Sequence, residues 1–171
     1  MNAENRRVAI CPGSFDPITL GHLNIIRRTA KIFDHVVVCI MKNSTKTSPM
    51  FSVEERTEMV RRACVRYENV TVESSDILLA EYAKRFENPV IVKGLRAASD
   101  FEYEFQMDLI NKNINPKLET MFLTASGKYT FLSSSVVREM AKYGADLTGL
   151  VPQELIAEIE EKARQWGKNN G

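Results

Sequence analysis

The stretch Pro12-Gly13-Ser14-Phe15-Asp16-Pro17-Ile18-Thr19-Leu20-Gly21-His22 follows a short apolar run and leads into a helical repeat. Thr19 is a good N-cap, which places Gly21 and His22 in the first helical turn. Unpaired N–H groups and the positive end of the helix dipole make that turn an anion site. Gly13 is expected to allow a sharp turn and Gly21 to leave room for a phosphate. A cationic histidine is a poor partner for a helix N-terminus, so His22 calls for a compensating anion; a histidine bonded to nearby backbone is the alternative. Lys93-Gly94-Leu95-Arg96 sets two cations about a glycine, suited to phosphate oxygens or to a solvated turn. Phe131-Leu132-Ser133-Ser134-Ser135-Val136-Val137-Arg138 has three serines where one would cap a helix, followed by an arginine one turn on. That pattern suggests a second phosphate-facing helix start. The shared chemistry is the handling of phosphate groups.

Other chemistries fit poorly. The chain has no GxxxxGK[ST] or GxGxxG loop and no GxSxG elbow. His22 and His35 are its two histidines, so a multi-histidine metal site is excluded. Lys plus Arg is 23 and Asp plus Glu 22, a formal charge of +1, which argues against a general nucleic-acid or anionic-membrane binder. Lys46, Lys93, Arg96 and Arg138 are nevertheless expected at one end of the fold, as a local positive pocket. Cys11 and Cys39 lie in apolar runs and read as buried structural thiols, and with Cys64 they form no metal or disulfide pattern, which suits a reducing, cytoplasmic setting. The start MNAENRRVAI lacks the apolar stretch of a secretory leader, and the longest apolar run, Val36 to Met41, is far short of the ~20 residues that span a bilayer.

The elements that must position these loops alternate in type. Arg7 to Pro12, Val36 to Met41, Val70 to Val72, Val90 to Val92 and Thr120 to Thr124 read as strands. Between them, Leu23, Ile26, Ala30 and Phe33 recur at helical spacing, and Ser52 with Glu55 forms a capping box opening a helix to about Arg66. Asp76 is expected to cap a helix to about Phe86, and Ser99 with Glu102 a helix to about Asn113. Helices over about 134–143 and 152–166 follow, with a frayed tail over 167–171. The pattern predicts one α/β domain over residues 1–171, a doubly wound, mostly parallel five-stranded sheet with helices on both faces. Ligands of such sheets bind at the carboxyl ends of the strands, from which the three loops emerge. At 171 residues, with 44% hydrophobic and 26% charged, the chain is long enough for a core without staples.

Four segments together resemble the nucleotidylyltransferases with a TxGH or HxGH loop and a distal serine-rich signature. They are PGSFDPITLGH (Pro12 to His22), PMFSVEER (Pro49 to Arg56), KGLRAASDFEYE (Lys93 to Glu104) and YTFLSSSVVRE (Tyr129 to Glu139). Within that superfamily the chain is similar, from Val8 to about Leu155, to the bacterial phosphopantetheine adenylyltransferases; GLRA followed by DFEYE is the segment specific to them. The resemblance implies a Rossmann-like fold and transfer of AMP from ATP to 4′-phosphopantetheine, giving dephospho-coenzyme A and pyrophosphate in coenzyme A synthesis. The acceptor phosphate would attack the α-phosphorus in line; it is already an anion, so the enzyme supplies positioning and charge stabilisation rather than a base.

By the same resemblance, His22 stabilises the transition state, and Ser14 and Phe15 hold ATP, Ser14 also the acceptor. Lys46 and Lys93 grip the acceptor phosphate and Leu78 contacts the pantetheine arm. Gly94, Leu95, Arg96, Glu104, Tyr129, Thr130, Phe131, Leu132, Ser133, Ser134 and Ser135 hold the nucleotide. Mg2+ would accompany the ATP phosphates without an assigned protein ligand, and the assembly would be a homohexamer. The chain departs from the usual family pattern by serine for threonine at Ser14 and lysine for arginine at Lys93, the latter exchanging a two-point grip for a point charge. Relatives acting on nicotinamide mononucleotide or a polyol phosphate share Gly13 to His22 but lack GLRA…DFEYE. A tRNA synthetase is disfavoured by length and the lack of a KMSKS segment. A nucleotide sensor without turnover and a purely structural module remain as readings from other classes.

Overall fold

The computed structural model describes residues 7–42 and 49–169. Five strands, β1 (Val8–Gly13), β2 (His35–Met41), β3 (Val70–Ser75), β4 (Val90–Leu95) and β5 (Glu119–Thr124), form one sheet in the order β3-β2-β1-β4-β5. Every pairing is parallel. The helices are α1 (Leu20–Ala30), α2 (Val53–Cys64), α3 (Leu79–Ala83), α4 (Ala98–Ile114), α5 (Ser134–Lys142) and α6 (Ile156–Asn169).

Strand alternation sorts the core into two layers. Val36, Val38 and Ile40 of β2, with Ala9 and Cys11 of β1, pack against Leu23 and Ile26 of α1, Met59 and Val60 of α2, and Ile159 and Ala163 of α6. On the opposite face Val8, Ile10, Val37, Cys39 and Ile91 pack against Ala80, Tyr82 and Ala83 of α3 and against Leu118, with Ile114 of α4 beside them. The expected Rossmann-like, doubly wound sheet with helices on both faces is present. All three cysteines are buried, and desolvation pushes the Cys11 and Cys64 thiols up to about 12 and the Cys39 thiol up to about 11. The reading of Cys11 and Cys39 as structural thiols therefore holds, and it extends to Cys64.

Several boundaries differ from expectation. β3 and β4 run past their apolar residues because the neighbouring strand continues to pair: Ser74 and Ser75 face Ile40 and Met41, and Lys93 to Leu95 face Phe122 to Thr124. Asp76 does not cap α3. The cap position is Leu78, with no side-chain bond, and beyond Ala83 the chain tightens into i→i+3 turns that carry Lys84, Arg85 and Phe86. Ser99 and Glu102 do not open α4 either. Its cap is Ala97, without a side-chain bond, and Asp100 in the first turn instead accepts from the Arg96 amide at 3.2 Å. Ser52 and Glu55 do form the expected capping box on α2. The last helix begins as a 3-10 turn over Gln153–Leu155, and α6 then continues to Asn169, so residues 167–169 are helical rather than frayed.

One feature of the sheet prepares a site. β1 pairs with β2 along its whole length, from Val8–His35 to Gly13–Ile40, but with β4 only at Ala9–Val90 and Ile10–Ile91. The two central strands then diverge, and a crevice opens between their carboxyl ends where the winding direction reverses.

Candidate active site

A cleft of about 1460 Å³ fills that crevice. Its walls are the ends of β1 and β4, the starts of α1 and α5, residues 76–79 and one face of α4.

The β1 wall is built on the loop to α1. The left-handed residue there is Phe15 (φ 46°), not Gly13. The Phe15 ring folds back so closely that a Cβ on Gly13 would lie 2.9 Å from it, so Gly13 is required by close approach rather than by a turn of its own. Gly21 is less constrained, since a Cβ there would make ordinary contacts with Tyr129 and Leu132. Thr19 caps α1 as expected, its hydroxyl accepting from the His22 amide at 3.3 Å. His22 completes the box from the third helical position, a place usually held by Glu or Gln: its Nδ1 accepts from the Thr19 amide at 3.1 Å and lies 3.0 Å from Thr19 Oγ1. Nδ1 is thus the acceptor nitrogen, and in the neutral ring the proton belongs to Nε2. The Phe15 ring meets the imidazole edge-on, with centroids 5.2 Å apart. The histidine is both backbone-bonded and on the cleft wall, which merges the two readings of it.

The β4 wall carries the cations. Gly94 lets β4 approach α1 closely, since a Cβ there would come within 2.8 Å of Ile25. Lys93 is ion-paired with Glu104. Arg96 pairs with Asp100 at 3.1 Å and donates to the Leu132 carbonyl at 3.4 Å. Burial opposes the charge on Asp100, but the hydrogen bonds from Arg96 outweigh it and hold the carboxyl below its ordinary range.

At the α5 wall, Ser133 is the cap, accepting from the Val136 amide at 3.2 Å, and Ser134 donates to the Pro17 carbonyl at 2.8 Å. Ser135 accepts from Arg138 at 3.3 Å. Arg138 itself does not line the cleft: its guanidinium is paired with Asp16 at 3.2 Å. The expected positive pocket is thus corrected at that residue, because a buried carboxylate claims it.

The structure brings Ser14, Phe15, His22, Leu78, Lys93, Gly94, Arg96, Glu104, Tyr129, Leu132, Ser133, Ser134 and Ser135 to the cleft wall. Leu95, Thr130 and Phe131 are not on it: the Leu95 carbonyl accepts from the Ala125 amide, Thr130 bonds back to Gly127, and Phe131 is exposed. Lys46 lies outside the described residues. Sequence reasoning gave no role to Asp100, Tyr103 and Met107, which α4 adds to the wall. A carboxylate four residues after Arg96 was the available signal for Asp100. Among the described residues no three His, Cys, Asp or Glu side chains converge as a metal site needs, and Asp100 and Glu104 are engaged with Arg96 and Lys93. A cation held by the protein's own carboxylates does not fit this donor set.

The cytidylyltransferase-like family model matches residues 10–140, from β1 into α5, so the fold and its cleft define a nucleotidyltransferase of that class. Two solved structures share the fold at 15% identity. One is assigned as a nicotinate-nucleotide adenylyltransferase from Vibrio parahaemolyticus, with a TM-score of 0.67, covering 96% of this chain and 97% of that one. The other is a bifunctional NMN adenylyltransferase/ADP ribose pyrophosphatase from Francisella tularensis, complexed with AMP and a manganese ion, with a TM-score of 0.66, covering 97% of this chain and 53% of that one. More narrowly, the chain belongs to the phosphopantetheine adenylyltransferase family: it is 49% identical to the Finegoldia magna member over 158 residues, 92% of this chain and 97% of that one.

Proposed function

We propose that this chain, acting as one domain, transfers the adenylyl group of ATP to 4′-phosphopantetheine, releasing dephospho-coenzyme A and pyrophosphate. The family membership supports the substrates. The observation that carries the mechanism is His22, fixed by Thr19 on the cleft wall at the crevice between β1 and β4. An acceptor phosphate oxygen forms a bond to the α-phosphorus while the bond to the β-phosphate oxygen breaks, and the electron pair leaves with pyrophosphate. No proton has to be removed from the nucleophile. His22 donates from Nε2 to an oxygen of the α-phosphate as charge gathers there. Lys93, with Lys46, holds the acceptor phosphate, Ser14 lies between the two substrates, and Leu78 on the rim meets the pantetheine arm. Gly94, Arg96, Glu104, Tyr129, Leu132 and the Ser133–Ser135 start of α5 hold the nucleotide, with Leu95, Thr130 and Phe131 flanking them.

Magnesium is the proposed cofactor, brought with ATP rather than held by a protein carboxylate, and it would supply neutralisation of charge on the leaving pyrophosphate. The exposed apolar residues of α4, Phe101, Phe105, Leu109 and Ile110, with Met121 on the edge strand, support self-assembly, and the hexamer is the proposed form. Among the described residues no helix is long and apolar enough to cross a membrane, and the cytoplasm is the proposed location. Incubation with ATP, magnesium and phosphopantetheine should release pyrophosphate only when all three are present; no release with the complete mixture would overturn the reading.

A further inference from the structure

Asp16 lies six residues before His22, is 1% exposed and does not touch the cleft. Its carboxylate ties together three stretches of chain. Oδ1 accepts from the Phe51 amide at 3.0 Å, and Oδ2 accepts from the Met50 amide and from Arg138 Nη1, each at 3.2 Å. The same Nη1 donates to the Asp16 carbonyl at 2.5 Å, while Nη2 reaches Ser135. On either side, Arg56 donates to the Ser14 carbonyl at 2.7 Å and Ser134 to the Pro17 carbonyl at 2.8 Å. Each of these carbonyls thus receives a side-chain donor from α2 or α5. A buried carboxylate retains such donors strongly, and a planar guanidinium sets one nitrogen on Asp16 and the other on Ser135, a fixed two-point spacing that the single nitrogen of an ammonium does not reproduce.

We propose that Asp16 and Arg138 are positioning residues for adenylyl transfer. Their ion pair fixes the loop that carries His22 against the serine-rich start of α5, and so sets the separation between the histidine donor and the helix that receives the nucleotide phosphates. The proposal rests on the adenylyl-transfer reading and deepens it. It places Arg138 behind the site rather than on the phosphates.

The test compares Asp16→Asn, Arg138→Lys and the double variant with the parent, well below each melting temperature. Misplacement by ~1 Å costs on the order of 100-fold in rate, so kcat should fall ~10–100-fold in each single variant while both KM values stay within ~3-fold. The double variant should be no slower than the slower single one, because both changes break one link. Arg138→Lys carries the test should Asp16→Asn fail to fold. Unchanged kcat in Arg138→Lys would overturn the proposal, as would multiplicative losses, or a loss confined to the KM for ATP, the mark of a phosphate ligand. A second readout needs no turnover: with only two histidines in the chain, the ring ¹⁵N resonances of His22 should move in Arg138→Lys while those of His35, held by Thr71 across the sheet, stay put. Unmoved His22 resonances would also sink it. A parent that releases no pyrophosphate but shows the His22 shift would instead condemn the activity reading and leave the coupling standing.

Discussion

The β1 and β4 walls of the cleft are built on different terms. On the β1 side the polar groups that set the geometry are buried and bonded within the protein: Asp16 and Arg56 are 1% and 4% exposed, and the donors to the loop carbonyls come from elements far away in sequence. On the β4 side both ion pairs keep some contact with solvent, at 19% and 22% exposure for Lys93 and Glu104 and 40% and 27% for Arg96 and Asp100, and the two carboxylates come from one helix whose outer face is apolar and exposed. A buried, satisfied network resists change, because breaking it strands a charge or a carbonyl away from water. An ion pair that solvent still reaches from both partners exchanges them more cheaply than a sealed one. The contrast suits a reaction that must hold one donor fixed at the phosphorus while two charged substrates come and go past the other wall.

The largest test of that contrast separates the two jobs of His22. His22→Ala should lower kcat by ~100-fold or more, the usual worth of one preorganised donor. It should also cost ~1 kcal/mol of stability, because the Thr19 amide loses its acceptor. His22→Gln can rebuild the capping box from the same position, so it should recover the stability and not the rate. Equal kcat for His22→Gln and the parent would remove the histidine from the mechanism. The next test probes the fixed wall through its other strut. Arg56→Met strands the Ser14 carbonyl at a cost of ~1–3 kcal/mol, a drop of roughly 2–12 °C in melting temperature at this chain length. No drop would mean that the β1 wall is less rigid than its bonds suggest.

How much of this was legible beforehand depended on the distance over which each feature is decided. The place of each of the five strands and the cap at Thr19 follow from patterns within a few residues, whereas the ends of β3 and β4 are set by the pairing of the neighbouring strand. The α4 start departs from the expected box of Ser99 and Glu102 even at short range, because the end of β4 sets the Arg96 amide and guanidinium on Asp100 in the first turn. Arg138 was misread for a longer-range reason. An arginine one turn into a helix beside three serines looks like a phosphate ligand until Asp16, more than a hundred residues earlier, is folded against it. The three walls could be assembled from the sequence; which of their charges were already committed to one another could not.

The exchangeable wall has its own tests, smaller in size and opposite in sign. If Glu104 serves as the resting counter-ion of Lys93, the acceptor phosphate must displace it, and Glu104→Gln should lower the acceptor KM by ~5-fold, the equivalent of ~1 kcal/mol for a partly exposed pair. A rise in the KM for ATP with an unchanged acceptor KM would leave Glu104 with its nucleotide contact alone and remove it as a gate on Lys93.

The smallest effect belongs to Asp100. Its folded pKa is depressed, so its tie to Arg96 is fully present above the ordinary carboxylate range and fades as the pH falls through the lowered value. Solvent screening keeps the tie weak, so Asp100→Asn should cost less than ~1 kcal/mol near pH 7. The gap in melting temperature between parent and variant should then close on acidification. A gap that stayed constant into the acid range would show that Asp100 acts through its shape at the helix start and not through its charge. The β4 wall would then be as firmly fixed as the one opposite.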